Sequence, residues 1–465
     1  MTIQNQILVT SLMATVLVSN AFAQTNEMLT HSAFSLRQWA EQDYMLGNWG
    51  GLRTNLSNRG IDFEFFYAGS MPVNLSGGIR QGSVYQGGFL MGMDLNSDKL
   101  LGYKGGTFHV SSIGLHGDKP FSDRYIGDLN KVNLLDYANA MRLWELWYQQ
   151  TFLNDQLALK LGVLSIDRDF IVPELYGGLG QAPFINQTFF FPTMAFNLFD
   201  IPGMPTKYHG LATTPTSAPG ALLKWSPSKS FYTQAGIYGG NPDKSFSGTH
   251  FRLSESEGSL SFFELGYRLN SSSDSTGLEG SYKIGGYYHT ADFVDVYDGV
   301  TATFMGLAGL PVPPIREYDG NGGAYLLAEQ QLYREKDRTD PARQGLLTFF
   351  RLAGAPADRN LAQFAIDGGL VYKGLLPGRN WDTLAAAVSY MRMSDDIRQA
   401  QLDANTIAPN SFVPVDYETV FELSYKIQAT AWWTVQPSFQ YVFHPGGSRA
   451  IPDAKALIVQ MTLRF

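Results

Sequence analysis

The stretch Ala456–Phe465 reads A-L-I-V-Q-M-T-L-R-F, and its alternation decides the fold. Leu457, Val459, Met461, Leu463 and Phe465 are apolar, and between them stand Ile458, Gln460, Thr462 and Arg464. A period of two places one face of a strand in an apolar medium and most of the other in a polar one. The sequence carries no tail beyond Phe465 to cover the apolar face. Two readings are open at this point. The segment is the last strand of a soluble sheet, or a strand of a barrel whose outer face meets lipid.

Composition favours lipid. Charged residues make up 16% of the chain, against roughly 25% in an ordinary soluble domain. Aromatics reach 14%, and there are 48 glycines. A protein that meets lipid on one surface and turns often needs both. Alternation also recurs far from the end. Phe421, Leu423, Tyr425 and Ile427 alternate with Glu418, Val420, Glu422, Ser424 and Lys426. Trp433, Val435, Phe439, Tyr441 and Phe443 alternate with Thr434, Gln436, Ser438, Gln440 and His444. Trp144, Leu146 and Tyr148 alternate with Glu145, Trp147 and Gln149; Leu157, Leu159, Leu161 and Val163 follow around Lys160. A large closed barrel with an outward apolar band and a wet interior explains aromatic faces opposite Glu and Lys, and closure removes the sheet edges that lipid would not tolerate. Trp432, Trp433 and Tyr441 suit interfacial aromatic belts. Pro437 removes one ladder bond and is expected at a bulge or near a rim.

The N-terminus reads as a processing signal. The apolar run Ile7–Val18 is followed by Ala21-Phe22-Ala23, so residues 1–23 are expected to be a signal peptide. Residues 24–60 form a periplasmic segment with one short helix. In it Trp49, Leu52 and Leu56 share a face, Asn48 caps the start and Gly60 ends it. Residues 61–465 form the barrel. Its longest irregular segment, Asp167–Gly220, contains Phe184, Phe189, Phe190, Phe191, Phe196 and Phe199. So aromatic a loop needs burial; infolding into the lumen, where it narrows the channel, is the expectation, and a cap over the barrel mouth is the alternative.

The chain has no Cys, which excludes disulfides and thiolate metal sites. Its seven His are scattered without an H-E-x-x-H spacing, and no G-x-S-x-G elbow occurs. No catalytic group, metal or cofactor is expected. A formal charge of −8 argues against nucleic acid as a partner and against a strongly anion-selective funnel.

Several strings in order resemble the carbohydrate-selective porin family (OprB-like) of Gram-negative outer membranes. They are N-W-G-G-L-R-T-N-L-S-N-R-G-I-D-F from Asn48, M-R-L-W-E-L-W-Y-Q-Q from Met141 and L-G-V-L-S-I-D-R-D-F from Leu161. S-A-P-G from Ser217, Y-G-G-N-P from Tyr238, D-G-G-L-V-Y-K-G-L from Asp367 and V-Q-P-S-F-Q-Y-V from Val435 complete the set. The resemblance implies an all-β transmembrane antiparallel barrel of 16 strands with a short N-terminal helix and an infolded constriction loop. It also implies passive, sugar-preferring diffusion of carbohydrates, monosaccharides such as glucose, across the outer membrane. A general or small-anion porin is the alternative channel; a non-conducting sugar-binding or structural β-protein is the alternative of another class. Outer-membrane lipid surrounds such a barrel as monomer or homotrimer, and the assembly machinery reads the terminal Phe465.

Sugar recognition calls for charged and amide hydroxyl partners beside flat rings. Glu145, Trp147 and Gln149 share a face by parity, with Lys160 facing them from the next strand. Arg142 matches the family's Arg on this strand, although its parity opposes Glu145 unless a bulge intervenes. Arg168 and Asp169 open the long loop. Relatives that prefer glucose carry an Arg on the strand after G-G-T-F; here S-I-G-L-H-G-D-K from Ser112 offers Leu115 and His116 instead, which weakens the case for glucose itself.

The terminal strand is expected to direct insertion. Deleting Phe465 should lower the yield of heat-modifiable, membrane-extracted barrel and raise periplasmic aggregate; an unchanged yield refutes the role.

Overall fold

A computed structural model describes residues 35–118, 120–177, 181–191, 210–272, 275–335 and 344–465. The signal-peptide segment, Phe196 and Phe199 lie outside them. The chain divides into two units, Met1–Gln42 and Asp43–Phe465. The described part of the first holds the five-residue helix Leu36–Ala40, capped by Ser35.

The second unit is a barrel. Its strands are β1 Ile61–Ser76, β2 Gln86–Asn96, β3 Gly106–Gly117, β4 Ala140–Phe152, β5 Leu157–Leu164, β6 Ala218–Trp225, β7 Phe231–Gly239 and β8 Ser259–Leu269. They continue with β9 Gly280–Val294, β10 Glu317–Arg334, β11 Gly345–Gly354, β12 Ala362–Lys373, β13 Thr383–Met393, β14 Tyr417–Thr430, β15 Trp433–Phe443 and β16 Ala454–Arg464. Each pairs antiparallel with the next. The ring closes where β1 meets β16, from Phe66↔Arg464 to Ser76↔Lys455. A two-residue strand, Gly82–Ser83, adds to β1. Sixteen strands in a closed antiparallel ring are the expected architecture.

The first and last residues of the barrel are tied together. Arg53 lies on the helix Leu52–Asn58 and donates to Phe465 O at 2.6 Å. The Phe465 ring stacks on Phe65 at 4.6 Å. Gly51, not Asn48, is the N-cap of this helix; Asn48 stands before the turn Trp49–Gly51 and reaches across it to accept from Thr54 N at 3.0 Å, and Gly60 follows the helix end at φ 90°. Trp49 and Leu52 stay partly exposed. Arg53, stacked on Trp49 and Tyr44, makes the helix's contact with the C-terminus instead.

Parity on β14 and β15 follows the sequence reading: Glu418, Glu422, Ser424, Gln436, Ser438 and Gln440 point inward and are buried, while Leu423 and Trp433 are exposed outside. Three details differ. Trp432 is buried at the inner rim rather than in a belt. Pro437 sits mid-strand in unbroken register with Val459, and on its other side the β14 ladder passes from Ser424↔Ser438 to Ile427↔Val435, skipping Pro437 itself and Gln436. The inner wall is also less wet than expected, because two loops fold into it.

One is the expected loop between β5 and β6. The other, between β3 and β4, was not anticipated. Their aromatics bury against inward wall residues, alanines on one side and larger side chains on the other. Phe121, Tyr176, Phe184 and Phe189 pack with Ala385, Ala387, Ala454 and Ala456. Phe170, Phe190 and Phe191 pack with Leu222, Phe262 and Tyr287. Each ring buried contributes about 1.5–3 kcal/mol.

Backbone polar groups buried with those rings still need partners. Inward glutamates supply them. Glu418 accepts from Leu129 N, Asn130 N and Gly446 N, each at 2.9 Å. Glu422 accepts from Ile185 N at 2.8 Å and Asn186 N at 3.0 Å. Glu329 accepts from Glu174 N and Leu175 N at 2.8 Å and Tyr176 N at 3.2 Å; Glu264 accepts from Ile171 N at 3.0 Å. Glu422 therefore faces inward as read, but a loop encloses it instead of water. The two loops also bind each other, through Leu134 N to Ile185 O and Gln187 N to Lys131 O, both at 3.0 Å.

Two further helices, Val296–Leu307 and Asp395–Ile407, stand at the end of the barrel away from the chain termini. Asp295 and Ser394 cap them, and Tyr297 donates to Asp403 at 2.7 Å between them.

Glu422→Ala should orphan the N–H groups of Ile185 and Asn186 at a cost of about 1–3 kcal/mol each. The loop should loosen, and single-channel conductance should rise with noisier open levels. Wild-type conductance in this variant would show that aromatic packing alone holds the loop.

Candidate functional site

The inner wall of β2 to β5 and the base of the long loop meet in one lattice of side chains. Register builds it. Asp94 on β2 pairs with His109 on β3, His109 with Trp147 on β4, and Trp147 with Gly162 on β5. One step nearer the chain termini, Gln149 pairs with Lys160. All these positions face inward.

A bulge sets the rest. Ser111 pairs with Glu145 and Ser112 with Leu143, which leaves Trp144 unpaired. The extra residue lets Trp144 and Glu145 both turn inward. Trp144 is therefore buried against Leu90 and Ile113, not in lipid as its parity suggested. The same bulge returns Arg142 to the inner face, opposite Ile113. Its guanidinium is spent elsewhere, on Asp243 O at 3.3 Å and Lys244 O at 3.0 Å.

The contacts then run in sequence. Asp94 Oδ1 meets His109 Nδ1 at 2.7 Å, which fixes the imidazole proton on Nδ1. The His109 ring stacks on Trp147 at 4.8 Å and 12°. Lys160 Nζ lies 4.9 Å from the centre of the Trp147 ring and pairs with Asp169 Oδ1 at 2.6 Å. Gln234 holds Asp169 O at 2.6 Å. Glu145 accepts from Ser165 N at 3.2 Å and faces Arg168 at 3.8 Å; Arg168 also covers Trp144 at 5.5 Å.

The sequence reading therefore named a set of which Glu145, Trp147, Lys160, Arg168 and Asp169 come together, with Gln149 beside them. His116 does not join it. Its partner Gly87 has the parity opposite to inward Gln86, so His116 lies on the outer face beside Tyr67 and Tyr85. Asp94 and His109 were missed, although their alternation with apolar neighbours was visible.

Exposure sorts the roles. The Glu145 side chain is 3% exposed, and Lys160 and Asp169 are 11% each. Asp94 at 48% and Arg168 at 37% are the ends that reach open lumen. Trp147 stands between the strands that carry His109 and Lys160, so its two faces are occupied. It is a wall element, not an open stacking platform. Farther along the loop, burial opposes the charge of Glu174, but Arg268 at 2.7 Å and Lys283 at 3.1 Å outweigh it and hold this carboxyl down at about 2.

Residues 80–465 match the family described as carbohydrate-selective porin, OprB family. The chain belongs to that family. It is an outer-membrane β-barrel channel. Porin B of Pseudomonas aeruginosa is 28% identical over 430 residues, which cover 88% of this chain and 89% of the relative. The high-pH structure of Pseudomonas putida OprB superposes with a TM-score of 0.76 at 25% identity, covering 93% of this porin and all of that chain.

Glu145→Gln should remove a negative charge behind Arg168 and leave the guanidinium uncompensated. Cation preference, read as reversal potential across a KCl gradient, should fall. An unchanged reversal potential would mean that the exposed groups alone set ionic selectivity.

Proposed function

We propose that this porin passes neutral sugars, monosaccharides among them, along the wall between Arg168 and Asp94. The arrangement that carries the reading is the lattice itself. A guanidinium and a carboxylate stand exposed at its two ends and offer sugar hydroxyls donors and acceptors in turn. Glu145 backs Arg168, and His109, stacked on Trp147 with Lys160 over the same indole, holds Asp94, so a passing solute meets preformed partners and no side chain has to order on contact. Infolded loops narrow the closed barrel around that surface. Transit demands weak binding, and a millimolar affinity corresponds to about −4 kcal/mol. Porin family membership points to a channel and not to an enzyme.

Arg168→Gln should weaken sugar block of ion current, and Trp147→Ala should weaken it as well by releasing Lys160 and His109. Current recordings with several neutral sugars decide it. If both variants keep wild-type block for every sugar, this wall is only pore lining and discrimination lies in the loops.

A further inference from the structure

The segment before β1 runs along the rim at the end of the barrel that carries the C-terminus. Strands are joined there by short turns, residues 153–156 between β4 and β5 and 226–230 between β6 and β7, whereas residues 165–217 join β5 to β6 at the other end. Short turns mark the periplasmic end of an outer-membrane barrel. Three bonds tie the segment to this rim. Met45 N donates to Arg464 O at 2.8 Å, Arg53 to Phe465 O at 2.6 Å, and Lys99, on the turn after β2, to Ser57 O at 3.0 Å. The Arg53 guanidinium also stands 4.4 Å from the centre of the Trp49 ring, and the indole meets the Phe63 ring at 5.9 Å. Phe63 belongs to the lipid side of the wall. β1 pairs with β2 without a break from Ile61↔Leu95 to Ser70↔Gln86, so Phe63 and Phe65 share the face of exposed Met71, opposite that of buried Ser70. The Phe465 ring lies on the same outer side, stacked on Phe65. Trp49 therefore continues the lipid-facing band past the start of the barrel.

What the segment leaves uncovered is apolar. Leu46, Trp49 and Leu52 are 57%, 37% and 39% exposed. Its charge has one sign. Residues 44–60 contain Arg53 and Arg59 and no acid, and the adjoining residues 97–104 contain Lys99 and Lys104 against Asp98 alone. Arg59, Lys99 and Lys104 are exposed. Aliphatic and indole side chains beside cations are the composition of a helix that lies in a membrane interface, with its apolar face in the acyl boundary and its cations among phosphates. Continuity with the lipid-facing wall and the positive charge of the rim both select lipid as what covers this face.

We propose that residues 44–59 form an interfacial anchor on the inner leaflet of the outer membrane, with Leu46, Trp49 and Leu52 at the acyl boundary and Arg59, Lys99 and Lys104 against anionic phospholipid headgroups. The chain has no Cys, so single spin labels can be placed on the porin in vesicles of phosphatidylcholine and phosphatidylglycerol. Oxygen partitions into hydrocarbon and a nickel chelate stays in water, so the ratio of their effects on the label reads depth. Labels in Leu46→Cys and Leu52→Cys should share the oxygen-rich ratio of a label in Leu423→Cys on the lipid face, and should report a depth of about 5–10 Å. A label in Asn58→Cys, about a third of a turn round the helix from Leu52, should give the ratio of water. Replacing phosphatidylglycerol by phosphatidylcholine should move the Leu46→Cys and Leu52→Cys labels toward water, and the shift should be lost in Arg59→Gln/Lys99→Gln/Lys104→Gln. Labels that ignore the lipid exchange overturn the headgroup contact. Water-like ratios at both positions overturn the anchor. So do loss of oxygen access and dipolar broadening between labels, which place a second copy of the chain on this face. If a label hinders assembly, Trp49→Phe reads the same face: lipids brominated near the headgroup end of their chains should quench more emission in wild type than in this variant, and equal quenching overturns the anchor. None of these outcomes bears on sugar passage.

Discussion

A chain segment buried inside a barrel must find partners for its own N–H groups, and here carboxylates on the wall provide them. Glu329, Glu418 and Glu422 each present both oxygens to loop backbone, and Glu264 presents one to Ile171 N while Tyr232, Gln234 and Tyr325 fill the rest of its lone pairs. A buried carboxylate is costly unless its lone pairs are satisfied. A buried N–H carries the same liability on a smaller scale. Each solves the other's problem, and the bonds are of the stronger, charge-assisted kind. Only with the loops pinned in this way do the phenylalanines stay packed on the wall alanines. Only then does the start of the long loop bring Arg168 and Asp169 to β4 and β5. The lumen's shape and its charged surface thus follow from the same anchors.

The surface so formed is a rigid one. The Trp147 indole is enclosed by an imidazole and an ammonium, and each of those is fixed by an acid. Such a lattice gives a passing solute fixed partners at its two ends. It differs from a binding pocket, where a ligand is enclosed and held. Weak, repeated contact along one wall is what passive passage requires.

Much of this was legible in the residues. The alternation of Ala456–Phe465 and of Phe421–Ile427 gave both strand and facing, because an apolar face in lipid tolerates few exceptions. The parity argument brought Glu145, Trp147 and Lys160 to one wall. It failed at Trp144, since one bulged residue resets the phase and no local composition marks the insertion. His116 came from its family position alone, with no parity argument behind it, and the register puts it on the outer face. The β3–β4 loop escaped notice because it lacks the aromatic density of the longer one. Its tether, Asp136 accepting from Ser122 N at 2.8 Å, is a polar residue among many. Trp432 looked like a belt residue, and only the fold shows that the chain turns it inside. Long-range partners such as Glu418 and Leu129, far apart in sequence, leave no periodic trace at all.

The anchors have a bearing on how such a channel can change. Glu329 and Glu422 hold Glu174, Leu175, Tyr176, Ile185 and Asn186 by their main chain, not by what those residues carry. The pin itself asks only for an N–H, so at Glu174 and Leu175 the side chain is open to change, whereas Tyr176, Ile185 and Asn186 are also buried against the wall. Proline alone cannot supply the N–H, and Pro173 and Pro183 stand near these donors without occupying one. At Glu174 and Leu175 the constriction is thus a mount with interchangeable fittings. Its lining there can be rewritten for a new cargo, by natural drift or by an engineer, without redesigning the wall that carries it.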